Sequence, residues 1–441
     1  MRAWVGLAAV AGLVLAAGCG GDGDDSAGPT TSIPTWTAPT SVPDATIATA
    51  TTATTAATAA TTTVVPTATT SAPPTTTTLP PPRTATLLFT GDLIPHAPVV
   101  RAAERMADEA GGARAHDFRP LFADVADRIA GADLAVCHLE SPLTDDLSAL
   151  SGYPRFNGPA GLADDLVDLG YDACSTASNH SLDNGWLGVL ATLAALDAAG
   201  LAQSGMAASE EAAVEPLLLD AAGITVGLVS ATFGTNGLPR PEATPWIVTD
   251  LDVDELLEHA RRARAAGAEF VVLALHWGVE YLSTPTATQR DQAESLLADP
   301  DVDLIVGHHA HVVQPVGRVG EEFVAYGLGN FLSNQSASCC AVGAQDGVIV
   351  EVVLEELQGG AGDGTPEGES RVVARQVVAT PTRVDRADDH RVVDVAAAVE
   401  AAVDAGEDPD ADLVASWFRT AERILAEELP AEVLEVRMGR D

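Results

Sequence analysis

The chain has 441 residues, with 63 Asp and Glu against 23 Lys and Arg, which gives a formal net charge of -40. Every cation is Arg and no basic run occurs, so a nucleic acid is excluded as a partner, because phosphate binding needs clustered cations. The hydrophobic content of 46% excludes a wholly disordered acidic chain, which would lack the apolar surface that offsets ordering entropy.

Residues 1–19 predict an export signal. Arg2 precedes an apolar run over residues 4–17, and small residues then lead to Cys19. This run is too short to span a bilayer as a mature helix. The segment resembles a bacterial lipoprotein signal, in which Cys19 becomes the acylated first residue and anchors the protein to the membrane. An ordinary cleaved signal, giving a secreted protein, and an uncleaved anchor are the alternatives. Each of them predicts an extracytoplasmic protein.

Residues 20–83 predict a disordered linker. Thr, Ala, Pro and Ser dominate, and no charged residue lies between Asp44 and Arg83. Such runs, broken by prolines, neither sustain a helix nor bury a face. We expect the linker to hold the following domain away from the membrane.

Residues 84–353 predict an α/β domain, because short β-rich apolar runs alternate with Ala- and Leu-rich segments of helical length. The predicted strands are 86–90, 134–137, 173–176, 224–229, 270–275, 304–306 and 323–326. The predicted helices include 118–130, 185–199, 254–266 and 287–298.

Residues 354–441 predict an extension of the same domain. From Gly347 onward the pattern gives a strand at 348–353, which leads into the extension. It then gives a Gly-rich loop at 359–370, a strand at 371–379, and helices at 392–405 and 412–428. No chemistry is evident there. We expect this extension to complete the packing of the sheet.

Polar side chains that can bind metals or carry protons follow almost every predicted strand. They are Asp92, Glu140, Asn179, His180, His276, His309 and His311. Because the carboxyl ends of strands in an open α/β sheet lie along one edge, we expect these side chains to converge. Carboxylates, an amide oxygen and imidazoles together suit divalent ions, and so many ligands favour two ions that share a carboxylate.

In this order, the motifs resemble the CapA family, associated with bacterial capsule and poly-γ-glutamate synthesis, within the calcineurin-like metallophosphoesterase superfamily. Runs at 152–157, 276–281, 307–315 and 326–331 carry the resemblance further, and it covers about residues 87–353. It implies a calcineurin-like α/β fold, a metallo-dependent phosphatase sandwich of β-sheets flanked by helices.

The resemblance also implies roles for the residues. The implied ligands of two divalent ions (Mn, Fe, Zn or Mg) are Asp92, Glu140, Asn179, His276, His309 and His311. Asp92 and His311 would hold one ion, and Glu140 would bridge to the other. His180 would be the catalytic general acid or an electrostatic stabiliser.

Two positions depart from the superfamily pattern. Ile94 stands where a second ligand, a His two residues after the Asp, is usual, and His96 is the candidate substitute. Glu140 stands where the shorter Asp is usual. Fewer ligands at the first site would leave one ion tight and one loose, and they weaken the inference of catalysis.

Further side chains near these motifs are predicted to contact substrate: Arg155, Asn157, His96, Glu280, Tyr281 and Asn330. Arg155 suits a carboxylate or phosphate through its planar fork, and a surface salt bridge is its alternative. For His96 the alternatives are a metal or substrate role and a plain loop position. Glu280 and Tyr281 either contact substrate or support His276.

Four cysteines besides Cys19 would lie in an oxidising compartment: Cys137, Cys174, Cys339 and Cys340. They allow three pairings, among which the sequence does not choose. A bridge between Cys137 and Cys174 is reasonable, since each lies near the end of a predicted strand, whereas the adjacent pair would need a vicinal ring.

Three functions follow as hypotheses. The leading one is an extracytoplasmic, lipid-anchored CapA-like metalloprotein in capsule or cell-surface polymer synthesis or export, whose partners are an anionic polymer and capsule synthase or export proteins. The second is a secreted metallophosphoesterase that acts on small phosphoesters. The third is a polymer-binding or export factor that keeps its metals without catalysis.

Overall fold

The computed structural model of the protein describes residues 81–359 and 370–439. The predicted signal, Cys19, nearly all of the predicted linker and most of the loop at 359–370 lie outside the described residues. Among the helices that are described, none combines the length and the apolar character needed to cross a bilayer.

The strands of the described residues are, in chain order, β1 Thr84–Leu93, β2 Leu134–Leu139, β3 Leu143–Thr144, β4 Gly158–Pro159, β5 Ala173–Ser175, β6 Ala202–Ser204, β7 Leu217–Ala221, β8 Ile224–Thr232, β9 Phe270–His276, β10 Leu304–His308, β11 Val316–Val319, β12 Glu322–Ala325, β13 Asn330–Leu332, β14 Asp346–Gln358, β15 Ser370–Asp385, β16 Arg391–Asp394 and β17 Leu434–Val436. The α-helices are α1 Ala97–Glu109, α2 Ala126–Ala130, α3 Gly161–Leu169, α4 Gly185–Ala199, α5 Glu210–Val214, α6 Val253–Ala265, α7 Ala287–Leu297, α8 Val395–Asp404 and α9 Ala411–Ile424.

Two large sheets pack face to face. Within the described residues, the larger sheet has nine strands in the order β16-β15-β14-β1-β2-β5-β6, with β13 beside β1 and β17 beside β15. The smaller sheet has six strands in the order β11-β12-β10-β9-β8-β7. Leu87 and Phe89 of β1 share one buried core with Phe270 and Val272 of β9, so this core fills the space between the sheets. The predicted α/β sandwich is confirmed.

Helices cover the outer face of each sheet. Leu88, between Leu87 and Phe89, turns to the opposite side of β1 and packs with residues of α1 and α3, as the two-residue period of a strand requires. On the smaller sheet, Val271 and Leu273 pack with residues of α6 and α7. Three layers of apolar contact therefore hold the sandwich: one between the sheets and one outside each.

Parallel pairing brings the ends of the central strands to the same edge. In the larger sheet β1, β2 and β5 are parallel neighbours, and in the smaller sheet β8, β9 and β10 are parallel neighbours. The long strand β14 runs antiparallel to β1, and β15 runs antiparallel to β14. The C-terminal segment thus extends the larger sheet on the side away from β2.

Two predicted helices differ in the structure. The helix predicted at 118–130 is broken into a 3-10 turn over Arg119–Phe122 and the short α2. The Phe118 amide donates to the buried Asp165 carboxylate at 2.7 Å, which anchors that end of the segment to α3. The helix predicted from residue 392 begins only after β16, because Val392 and Val393 pair with β15. The Asp394 side chain then caps α8 by accepting from the Ala397 amide at 3.0 Å.

The four described cysteines form two bridges. Cys137 and Cys174 stand opposite each other on β2 and β5, with their Cα atoms 4.4 Å apart. Cys339 and Cys340 form a vicinal bridge with a Cα separation of 3.8 Å. Of the three possible pairings, the structure therefore has Cys137 with Cys174 and Cys339 with Cys340. It thus contains the vicinal ring that the sequence analysis considered unusual.

Candidate metal centre

The predicted ligands converge where parallel strands of both sheets end. Asp92 lies at the end of β1, Glu140 directly follows β2, and His276 is the last residue of β9. His309 and His311 follow β10 in the smaller sheet. His311 Nδ1 lies 2.9 Å from Asp92 Oδ2, so this pair links the two sheets at the site.

The turn after β10 holds its histidines in an uncommon backbone conformation. His309 has a φ of 86° and His311 a φ of 53°, both in the left-handed region that residues other than glycine rarely adopt. Asn330 of β13 fixes this turn, since its Nδ2 donates to the His311 carbonyl at 3.3 Å and its Oδ1 lies 3.1 Å from His311 Nδ1. A strained backbone that is fixed in this way is typical of functional sites.

The Glu140 carboxylate lies between the two halves of the predicted ligand set. It is completely buried, and neither of its oxygens has a hydrogen-bond partner. Its Oε1 lies 3.6 Å from His311 Nε2 and 4.0 Å from His276 Nε2. Burial raises the pKa of Glu140 to about 7. A buried carboxylate without donors is costly unless a cation compensates it.

Asp92 and His311 form a buried ion pair. Burial alone would raise the pKa of Asp92, but the hydrogen bond with His311 lowers it to about 2. Burial alone would likewise lower the pKa of His311, but the carboxylates of Glu140 and Asp92 raise it to about 9. The two carboxylates therefore favour the protonated form of His311. A metal ion bound at a ring nitrogen of His311 would displace that proton.

The other half of the set is made of neutral groups. Asn179 Oδ1 lies 3.0 Å from His276 Nε2, and the rings of His276 and His309 are 4.7 Å apart. Burial lowers the pKa of His309 to about 3 and that of His276 well below its ordinary value. Neutral imidazole is the form that binds metals, and His309 Nδ1 is buried without a hydrogen-bond partner.

These donors fit a divalent ion. Among the described residues, three groups of side chains bring ligand atoms within 4.8 Å of one another: Asp92, Glu140 and His311; Asp92, His138 and His276; and Glu280, His309 and His311. The first group contains the pair that the sequence assigned to one ion. The third places the exposed Glu280 beside the histidines, where the sequence suggested a substrate or supporting role.

His138 is the residue of this site that sequence analysis missed. It lies on β2, and its Nε2 is 2.9 Å from His276 Nδ1, while its Nδ1 is 2.8 Å from Ser175 Oγ. Its ring stacks on His308 with a centroid separation of 4.0 Å. The signal was present in the sequence, since residues two apart in a strand face the same side and His138 stands two residues before Glu140.

His180 stands in the turn after β5, held by a neighbour that sequence analysis did not assign. Its Nδ1 lies 2.8 Å from Asp183 Oδ2, and the same oxygen accepts the Phe156 amide at 2.6 Å. One carboxylate therefore fixes both the imidazole and the loop 151–157. His180 Nε2 has no hydrogen bond within the described residues, so this nitrogen is free to meet a substrate.

Comparison with known proteins places this site in a family. Residues 86–335 match the family model described as bacterial capsule synthesis protein PGA_cap. The chain belongs to this family. The matched segment starts in β1 and ends after β13, so it contains every strand end that contributes to the site.

Relatives of the chain include two from Bacillus. It is 28% identical over 207 residues to the PGA biosynthesis protein CapA of Bacillus subtilis, which covers 46% of this chain and 52% of the relative. It is 28% identical over 173 residues to the capsule biosynthesis protein CapA of Bacillus anthracis, covering 38% and 42%. The chain thus spans about half the length of the curated relatives it matches.

A solved calcineurin-like phosphoesterase from Bacillus subtilis is 12% identical, with a TM-score of 0.35, covering 67% of this chain and 91% of that one. At this identity and TM-score, no property of that phosphoesterase is assigned to the chain.

The predicted substrate residues occupy different positions in this member of the family. Arg155 is exposed on the loop 151–157, and no ion pair of its side chain occurs among the described residues. Asn157 is buried; its Nδ2 donates to the Ala149 carbonyl at 3.0 Å, and its backbone pairs with Ser151. Asn157 therefore shapes the loop that presents Arg155.

His96 is engaged in the loop that precedes α1. Its Nδ1 lies 3.1 Å from the Ile94 carbonyl oxygen and 3.3 Å from the Asn334 amide nitrogen, and burial lowers its pKa to about 4. No ligand group of the described residues includes it. Ile94, which stands in the usual ligand position, is 1% exposed and aliphatic. Residues 94–96 therefore add no imidazole ligand to the half of the site that contains Asp92 and His311.

Tyr281 and Asn330 lie on opposite sides of His311. The Tyr281 ring centroid is 6.0 Å from that of His311, and burial raises the pKa of Tyr281 to about 12, so its hydroxyl keeps its proton. Asn330 is completely buried, and its contacts are with His311 and neighbouring backbone rather than with the surface. Tyr281 can meet a ligand, whereas Asn330 orients His311.

Proposed function

We propose that this protein is an extracytoplasmic metalloprotein of capsule synthesis, which acts in the synthesis or export of a cell-surface polymer of the poly-γ-glutamate type. Membership of the capsule synthesis family supports the process, and the names of the two Bacillus relatives support the polymer. The predicted lipoprotein signal supports a membrane anchor at Cys19, with residues 20–83 as its tether. The partners would be the anionic polymer and the synthase or export proteins that handle it.

One observation carries the proposal of a dinuclear, hydrolase-type centre. The buried carboxylate of Glu140 has no hydrogen-bond donor, and its Oε1 lies within 4.0 Å of a ring nitrogen of both His276 and His311. A carboxylate that lies between two sets of ligand atoms would be a shared ligand of two cations, and Glu140 has this position.

The residues that would hold the ions are Asp92, Glu140, Asn179, His276, His309 and His311. Divalent ions bound there would supply an activated water and neutralise charge in a displacement at phosphorus or at an amide carbonyl. This mixed oxygen and nitrogen donor set suits Mn, Fe, Zn or Mg.

His180 would act on the leaving group. Asp183 accepts from Nδ1 and so holds the ring in one orientation, which leaves Nε2 to carry the proton that the leaving atom takes up. The net charge of -40 repels an anionic polymer at long range. Arg155, exposed and without an ion-pair partner in the described residues, would supply attraction at short range.

The test is a metal analysis of the full chain joined to a substrate panel. We expect divalent ions to co-purify with the protein, to be removed by chelation, and to be required for hydrolysis of poly-γ-glutamate or of nitrophenyl phosphate esters. Asp92→Ala and His309→Ala should abolish both metal content and turnover. His259→Ala, on the outer helix α6, is the matched control and should retain both.

Turnover of nitrophenyl esters alone would point to a phosphoesterase of small substrates. A full chain that holds no divalent ion under any loading condition would refute the metal centre.

Polymer binding without hydrolysis is a second candidate, and the first half of the site favours it. Ile94 is buried and His96 is engaged with Asn334, so this half has one imidazole fewer than the superfamily pattern. His180→Ala separates the two functions in a capsule-complementation assay. Full complementation by this variant indicates binding, and loss of complementation with metal content retained indicates catalysis.

A further inference from the structure

We propose that His138 is a positioning residue for His276: it accepts a hydrogen bond from His276 Nδ1 and thereby directs the Nε2 lone pair toward Glu140 and Asn179. The inference rests on the proposed metal centre and adds to it a residue to which no role has been assigned. Histidines that bind metals commonly donate their second ring nitrogen to a carboxylate or a backbone carbonyl. Here another imidazole occupies that place.

The geometry is that of a buried chain of hydrogen bonds. His138 Nε2 lies 2.9 Å from His276 Nδ1, and His138 Nδ1 lies 2.8 Å from Ser175 Oγ. Ser175 and His138 are each 1% exposed, and His276 is completely buried, so water does not compete for these contacts. The chain crosses from β5 through β2 of the larger sheet to β9 of the smaller one.

Ser175 sets the direction of the chain. Its hydroxyl donates to the Cys137 carbonyl at 3.3 Å, which uses its only proton. Ser175 Oγ must then accept from His138 Nδ1, so His138 carries its proton there. Neither ring nitrogen of His138 has a carboxylate as its hydrogen-bond partner, so the buried ring is neutral, and with its proton on Nδ1 its Nε2 is an acceptor. His276 Nδ1 is therefore the donor, and His276 Nε2 bears a lone pair.

That lone pair faces two oxygens. Asn179 Oδ1 lies 3.0 Å and Glu140 Oε1 lies 4.0 Å from His276 Nε2. Three electron-rich atoms directed at one another are unfavourable without a cation, and they form a ligand set with one. His138 keeps His276 in the tautomer that completes this set.

Simple packing is the competing explanation, because the His138 ring also stacks on His308 at 4.0 Å. His308 offers a matched control for it. It is 3% exposed and touches the same ring, and within the described residues it has no hydrogen bond to His276. Loss of packing alone should affect the two positions equally, whereas loss of positioning should affect only His138.

The experiment measures Zn²⁺ affinity of the full chain by competition with a chromophoric chelator, together with the Tm of the metal-free form. His138→Leu fills the site without an acceptor and should weaken Zn²⁺ binding by roughly 10- to 100-fold. His138→Gln keeps a carbonyl acceptor and should lose less. His308→Leu should bind Zn²⁺ as the unaltered protein does, even where its Tm falls.

Ser175→Ala keeps His138 and decides the question if His138→Leu does not fold. It should weaken Zn²⁺ binding by about 2- to 10-fold, since it removes one hydrogen bond of the chain. Unaltered affinity in Ser175→Ala and His138→Gln, or in His138→Leu, overturns the positioning role while leaving the metal centre intact. An equal loss in His308→Leu and His138→Leu overturns it too. An unaltered protein that binds no Zn²⁺ overturns both the role and the centre.

Discussion

Glu140 and Asp346 are both completely buried carboxylates, one at the strand ends and the other under the C-terminal helix α9. Asp346 accepts from Arg383 Nη1 at 2.8 Å, Ser416 Oγ at 2.7 Å and Arg419 Nε at 2.6 Å. Glu140 accepts no hydrogen bond. The same chemical group is thus held by three hydrogen bonds in one region, whereas in the other it has no hydrogen-bond donor, and its cationic neighbour His311 is shared with Asp92.

The difference separates a structural region from a functional one. The three donors of Asp346 tie β14 to β15 and α9, so its charge is part of the C-terminal packing. At the strand ends, Glu140 and His309 Nδ1 are both buried without hydrogen-bond partners. A buried carboxylate without a hydrogen-bond donor is costly unless a cation compensates it, so Glu140 marks the place where a cation would bind.

The largest expected effect is on the satisfied carboxylate. Asp346→Asn removes the counter-charge of two arginines and should lower the free energy of unfolding by about 3–5 kcal/mol, as measured by urea denaturation of the metal-free protein. Zn²⁺ affinity should stay unaltered, because Asp346 lies outside the ligand set. A change in affinity with unchanged stability would contradict the division into two regions.

Glu140→Gln should do the opposite in the metal-free protein. The pKa of Glu140 is about 7 when folded against 4.5 for the free group, so the folded state favours the protonated carboxyl. Ionisation therefore costs stability as pH rises from about 4.5 to 7, and the full cost, about 3 kcal/mol, persists above pH 7. Glu140→Gln should be more stable than the unaltered protein at pH 8 and equal to it at pH 4, by urea denaturation.

Metal addition gives the next effect in size. Free Zn²⁺ at about 100 times its Kd should stabilise the unaltered chain by about 2.7 kcal/mol. The increment should be the same in Asp346→Asn, starting from a lower baseline, and absent in Glu140→Gln at that concentration. Because a proton competes for Glu140, the increment should also shrink as pH falls from 8 to 6. Thermal shift against Zn²⁺ concentration measures all three.

The smallest effect extends the comparison to arginines. Arg383 and Arg419 are paired with Asp346, whereas Arg155 is exposed without an ion pair in the described residues. Arg155→Gln should change the free energy of unfolding by less than about 0.5 kcal/mol. Its affinity for poly-γ-glutamate should fall about 5- to 10-fold, about 1–1.4 kcal/mol, in a binding assay. Arg101→Gln, an exposed position on α1, is the control and should leave binding unaltered.

The sequence predicts the site better than it predicts the elements around it. Asp92, Glu140, His276 and His309 each follow or end a buried apolar run, and parallel strands end on one edge, so their convergence follows from topology. His138 was missed although it directly follows the predicted strand at 134–137, because only Glu140 was singled out after that strand. Its role depends on His276 from the other sheet, a contact that no local pattern encodes.

Several helices and short strands could not be predicted for related reasons. α1 starts at Ala97 without a side-chain cap, and the Pro in its first turn is a helix-start signal that sequence analysis did not use. β13 has three residues and forms only because it lies beside β1 at Asp92. The engagement of His96 likewise depends on Asn334, more than 200 residues away. Long-range partners decide the cases of β13 and His96.

The bridge between Cys137 and Cys174 has a consequence for proteolysis. The exposed Arg155 lies in the loop between these cysteines, and the chain has no Lys, so an arginine-specific protease would find one of its accessible targets there. A cut at Arg155 would separate the segment that carries Glu140 from the one that carries Asn179. The two fragments would nonetheless migrate as one species until a reductant opened the bridge, so nicked and intact protein would differ only on a reducing gel.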